Sequence, residues 1–253
     1  MKKITFALFL GLGIHLSSFG QASPTQPTSI AVAANVQQML PVGPKKLSVM
    51  GISMSPRMLE LTEKFKEGIR KDPNWIIEQT KRATPGPVAY DKRSGMTAAE
   101  WAEYQAGMNP GTLRVAPQFT GEVRLVRDKN TLHFLATDKL AMLNDLWFDL
   151  AKNEVHLAGY VLPFVQETTV GEAANAYGSS WKAYTWEMHE PQVADFDNLD
   201  LEKIRALKKL TVFNVQLGKL DKTGQVFMKL KGQSIVEGVS KYSFDTPFFF
   251  QEL

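Results

Sequence analysis

The sequence predicts an α+β protein in which an N-terminal helical segment precedes an antiparallel β-sandwich or partly closed β-barrel. Three observations carry this expectation. Between Ser55 and Met108, apolar residues recur at helical spacing behind N-cap signals. From Leu113 onward the period shortens to strand alternation, punctuated by turn residues. Only one helical stretch, around Leu201 to Lys209, interrupts the strands, so alternating βαβ units are not expected.

The chain opens with Lys2 and Lys3, an apolar run from Ile4 to Ile14, and small or polar residues from Ser17 to Ser23. This is the layout of a signal peptide over residues 1–22, cleaved after Ala22, where Gly20 and Ala22 supply the two small side chains. The apolar run is too short for the roughly 20 residues of a spanning helix. An exported protein of the bacterial periplasm or extracellular space is expected. With no cysteine in the chain, neither disulfides nor a lipidated cysteine can hold it, so stability must come from the core. Losing Lys2 and Lys3 leaves 27 of the 29 basic residues against 26 acidic ones, a net charge of +1. Such a balance argues against a nucleic-acid partner, whose phosphates require a surplus of cations.

Residues 23–54, rich in Pro, Ser, Thr, Gln and Ala, read as a flexible leader, with the short run Ile30 to Val36 as its one ordered candidate. A single globular domain is expected over 55–253, helical over 55–108 and β over 113–253. Ser55 offers an N-cap oxygen ahead of Pro56, and Met58, Leu61, Phe65 and Ile69 share one face. Glu60 with Lys64 and Glu67 with Lys71 are spaced for i,i+4 pairs. Asp72-Pro73 announces a second helix through Trp75, Ile76 and Ile77 to about Arg82, and Thr97 with Glu100 forms a capping box for a third, stapled by Met96 and Trp101. Strands are expected at Leu113 to Val115, Gly121 to Val126, Thr131 to Thr137, Leu146 to Leu150, Val155 to Phe164, Lys182 to Glu190, Leu210 to Leu217, Gln225 to Lys231 and Lys241 to Phe250. The polar gaps at Arg127 to Asn130, Ala151 to Asn153 and Asp221 to Gly224 read as hairpin turns.

No segment carries a complete catalytic, metal or cofactor motif. His133, His156 and His189 fall on different strands, and nothing in their spacing places them together. The acidic run from Asp195 to Glu202 lacks the glycine and closing glutamate of a calcium loop and reads as the capped start of a helix. Met50, Met54 and Met58 straddle the Ser55 cap, and Met54 reads as a staple onto Leu59. Gly232-Gln233-Ser234-Ile235-Val236 lacks the last glycine of a nucleophile elbow, and Glu187 with Glu190 reads as a solvated edge. No metal site and no cofactor are expected.

The remaining chemistry is aromatic. Trp147, Trp181, Tyr184 and Trp186 are candidate ligand-binding residues, because rings clustered on a sheet can line an apolar groove. The leading expectation is a non-enzymatic envelope protein that binds a small apolar ligand, a glycan or a partner protein. A second reading is a hydrolase using His133 or His156 with a carboxylate such as Asp138 or Glu154. A third is a structural assembly subunit.

Overall fold

The computed structural model describes residues 29–72, 75, 89–109, 113–192, 203, 206–237 and 239–252. Helix α1 covers Ser29–Met39, α2 Pro56–Lys71 and α3 Ala98–Gly107. The strands are β1 Gly43–Ser53, β2 Arg114–Asp128, β3 Thr131–Ala136, β4 Leu146–Asp149, β5 Glu154–Leu157, β6 Tyr160–Val170, β7 Trp181–Glu190, β8 Lys209–Leu220, β9 Val226–Val236 and β10 Val239–Glu252. Strands that follow one another in sequence pair antiparallel, and β1 pairs with both β2 and β10, so the sheet is ring-like. It is one sheet, where a sandwich would have two. The signal segment, the continuation of the expected second helix beyond Trp75, and residues 201, 202, 204 and 205 of the expected helix at Leu201 to Lys209 lie outside the described residues; at the end of that helix Leu207 and Lys208 are not helical and Lys209 already opens β8.

The expected flexible leader requires correction over its described part. Val32, Val36 and Leu40, four residues apart on one face of α1 and its end, are fully buried among the inward side chains of the strands. Leu47 of β1 is buried between Gly121 of β2 and Phe250 of β10. The polar composition hid both elements because their burial depends on partners more than 70 residues away in the chain. Two hydrogen bonds tie α1 into the ring: Asn35 Nδ2 donates to Tyr184 Oη at 2.5 Å, and Arg127 donates to Gln37 Oε1 at 2.9 Å.

Two strand boundaries also differ from expectation. Arg114 and Val115 of the first expected strand and Gly121 to Val126 of the second belong to one long β2, which runs through Pro117 because the register against β1 shifts there, between Val49 and Met50. A bulge tolerates the missing N–H that would break a regular ladder. Val155 to Phe164 is two strands, folded back at Ala158-Gly159, both with positive φ as a two-residue type I′ hairpin requires. Ala-Gly is a weak turn signal, and the apolar residues on either side resemble one continuous strand.

The helical part forms between β1 and β2 much as its caps predict. Ser55 Oγ accepts from Met58 N at 3.2 Å, and Thr97 and Glu100 exchange both bonds of a capping box. Leu61, Phe65, Trp75, Met96, Trp101 and Tyr104 make a core of their own, with Phe65 stacked on Tyr104 at 5.1 Å. Lys64 bridges Glu60 at 3.2 Å and Glu100 at 2.6 Å, joining α2 to the cap of α3. The expected staple of Met54 onto Leu59 is absent: Leu59 is 53% exposed and Met54 lies by the Thr62 hydroxyl. Met50 packs near Trp181 and Met58 in the helical core, so the three methionines share no site.

Inside the ring, Phe134, Phe148, Trp186, Phe213, Phe248 and neighbouring leucines form one cluster with α1. On the outer face of β7 to β10, Trp181, Phe227 and Phe249 form a second cluster, covered by Tyr177 from the β6–β7 connection. Phe249 sits outside and Phe248 and Phe250 inside, as strand alternation demands.

Candidate functional site

The outer face of β3, β4, β5 and β6 brings together several of the residues singled out from the sequence. Pairing aligns His133 of β3 with Trp147 of β4, Trp147 with His156 of β5, and His156 with Val161 of β6. The neighbouring row aligns Thr131, Asp149, Glu154 and Pro163. Alternation forces all eight outward, because Leu132, Phe148, Val155 and Leu162 between them are buried in the ring.

The rings stack. Trp147 and His156 lie 3.6 Å apart between centroids with planes 9° from parallel, and His133 covers Trp147 from the other strand at 5.5 Å and 23°. With an imidazole on either side, the indole presents its edge and not an open face to solvent, so it is poorly disposed as a platform for a sugar ring. Beyond His156, Glu154 Oε2 stands 3.8 Å from His156 Nε2. Asp149 faces Glu154 across the β4–β5 pair, and ligand atoms of Asp149, Glu154 and His156 all lie within 4.8 Å of one another. Asp149 Oδ1 accepts from the backbone N–H groups of Ala151 and Lys152 at 3.1 and 3.0 Å, which fixes the carboxylate while shaping the hairpin turn.

The other candidates lie elsewhere. Asp138 is exposed at the start of the 3-10 turn Asp138–Asp145, apart from the histidine row. His189 is on β7, paired with Val212, with its ring nitrogen near the Pro191 carbonyl. The four aromatic candidates do not share a groove. Trp147 is on the outer face of β4 and Trp181 is in the outer cluster of β7, while Tyr184 and Trp186 point into the ring. Trp186 Nε1 donates to the Asn153 carbonyl at 3.2 Å, and burial raises the Tyr184 phenol, which stays neutral and accepts from Asn35.

Nucleophile geometry is weak at this face. Thr131 Oγ1 donates to the Asp128 carbonyl at 2.8 Å, so the 2.9 Å contact with His133 Nε2 has the imidazole as donor. A histidine that donates to the hydroxyl cannot at the same time act as its base. Around the rows, Leu135, Val161 and Val165 remain 54%, 45% and 41% exposed. At the rim beside the end of α1 there is a recess of about 300 Å3, lined by Gln38, Lys45, Gln225 and Gln251 and floored by Leu40 and Phe250.

Asp149 is the member of the acidic pair that sequence reasoning left out, because a turn at Ala151 to Asn153 sets Leu150 opposite Glu154, whereas the strands pair Asp149 with Glu154 across a loop one residue longer. Comparison of the chain with family models, with curated proteins and with solved structures finds no match.

Proposed function

We propose that this chain is an exported, non-enzymatic envelope protein whose ring of strands serves as a barrel-like scaffold, and that it binds a partner protein through the outer face of β3 to β6. The observation that carries this reading is the contrast between the two faces of the same strands. The inner face is closed by its own aromatic and leucine side chains and by α1, while the outer face sets Leu135, Val161 and Val165 in water around a half-buried aromatic stack. Scattered exposed apolar residues are ordinary, but residues grouped around an ordered aromatic centre and rimmed by charge resemble an interface. A small apolar ligand would need a cavity inside the ring, and the rim recess is at the low end of ligand volumes, with polar and apolar side chains mixed in its lining.

The hydrolase reading draws on the approach of His156 to Glu154. It lacks an activated nucleophile among the described residues at this face, since the Thr131 hydroxyl is committed to the Asp128 carbonyl.

A photo-crosslinking residue placed at Val161, expressed in the native envelope, tests the reading. One discrete protein-sized adduct is expected, lost when Leu135→Lys is added, with none from the same probe at exposed Leu59 on α2. Equal adducts from both positions, or none from Val161, would rule the interface out.

A further inference from the structure

We infer that Asp149, Glu154 and His156 form a binding site for a first-row divalent cation of the zinc class, built on the β4–β5 hairpin. This goes beyond the partner-binding reading and does not depend on it, since it rests on the donor geometry alone.

The site follows from strand alternation and register. Glu154 and His156 are two apart on β5 and therefore project from the same face, and Asp149 is the direct cross-strand neighbour of Glu154. The three donors lie within 4.8 Å of one another. A cation at the centre of a triangle with edges that long would be about 2.8 Å from each corner, so the donors need to close by less than an ångström to reach zinc's 2.0–2.2 Å. The edge between His156 Nε2 and Glu154 Oε2, 3.8 Å, is already close to the separation two ligands of a tetrahedral ion adopt.

His156 supplies the second observation. Its Nε2 is enclosed by the protein and has no hydrogen-bond partner. The parallel stack on Trp147 holds the plane of the ring, and with it the line along which Nε2 can accept a partner. Buried polar nitrogens are nearly always satisfied, and one held in place beside two carboxylates is satisfied by a metal ion lying between them.

Charge supports the same assignment. Two carboxylates directly opposite on an antiparallel pair repel each other. Lys152 Nζ stands 3.8 Å from Asp149 Oδ2 on a side chain 67% exposed, which screens the pair only weakly. Because the turn N–H groups hold Asp149 Oδ1, Oδ2 is the oxygen left to coordinate. One imidazole nitrogen with two carboxylate oxygens favours zinc and its neighbours over calcium or magnesium, which prefer oxygen alone. Three protein ligands leave a position open for water or for a group from a partner.

The test is calorimetric titration of the purified full chain, stripped with chelator, with zinc chloride. One zinc per chain is expected, with affinity falling by more than about tenfold in both Glu154→Gln and His156→Ala and unchanged in His133→Ala. Glu154→Gln keeps the size of the side chain, and circular dichroism of each variant checks that the fold is retained. Three results would overturn the site: no zinc bound by the wild type, wild-type affinity in both Glu154→Gln and His156→Ala, or an equal loss in His133→Ala.

Discussion

Trp147 and His156 stack face to face across the β4–β5 pair, 3.6 Å between ring centroids and within 9° of parallel. This contact fixes the outer face of the hairpin as the inward packing of Phe148 and Val155 fixes its inner face. An aromatic pair contributes about 0.5–1.5 kcal/mol beyond the area it covers, and Trp147 makes two. Trp147→Ala should therefore lower the unfolding free energy by about 2 kcal/mol, and Trp147→Phe by about half as much, as read from urea midpoints. Equal stability of wild type and Trp147→Ala would mean that the stack holds nothing in place.

Helix α1 is expected to behave as part of the core. Val36 is 1% exposed among the ring's inner side chains, so Val36→Ala should cost about 2 kcal/mol from lost burial and the cavity left behind. Removing residues 23–40 should open the interior and raise the fluorescence of an apolar dye. A truncated chain with unchanged melting temperature and no dye binding would restore the flexible-leader reading.

Two glycines should respond in opposite ways to alanine. A Cβ at Gly218 would lie 2.5 Å from the Lys182 carbonyl oxygen and 2.7 Å from Ala183 Cβ, so Gly218→Ala should force β7 and β8 apart and cost about 2 kcal/mol or more. At Gly171 a Cβ meets open space and φ is negative, so Gly171→Ala should be neutral or slightly stabilising through the unfolded chain. Thermal melts of the two variants decide it.

Glu100 links helix capping to pH. The Lys64 ammonium, and then the Thr97 backbone N–H, hold its carboxylate down from 4.5 to about 2. A carboxylate depressed in the folded state adds stability above its unfolded value, and that stability disappears as pH falls from 4.5 through about 2. Glu100→Gln keeps an acceptor for the capping box but removes the charge. The variant should lose less stability than wild type over that window, measured by urea midpoint against pH, and identical slopes would contradict the assignment.

Local chemistry was readable from the chain, and long-range pairing was not. Ser55, Thr97 and Glu100 act on neighbours three residues away, so their caps could be written down before any fold was known. Strand β1 could not, because Leu47 is buried only when β2 and β10 close on either side of it. The candidate site divides the same way. Glu154 and His156 emerge from alternation along one strand, whereas the stacking of His133 and His156 on Trp147 depends on the register of three strands. The Ala158-Gly159 turn decides that register on the far side, and a weak turn dipeptide between apolar residues concealed it. Trp181 separates from Tyr184 and Trp186 by parity alone: an odd spacing along β7 sends it to the opposite face.

The central claim is that the outer face of β3 to β6 is the working surface, and native mass spectrometry of the protein extracted gently from its own envelope tests it most directly. The wild-type chain should carry the added mass of a partner protein, and the double variant Leu135→Lys, Val161→Lys should emerge as the bare chain with its melting temperature unchanged. A wild-type chain recovered bare, a retained small molecule in place of a protein, or a partner still bound to the double variant would contradict it.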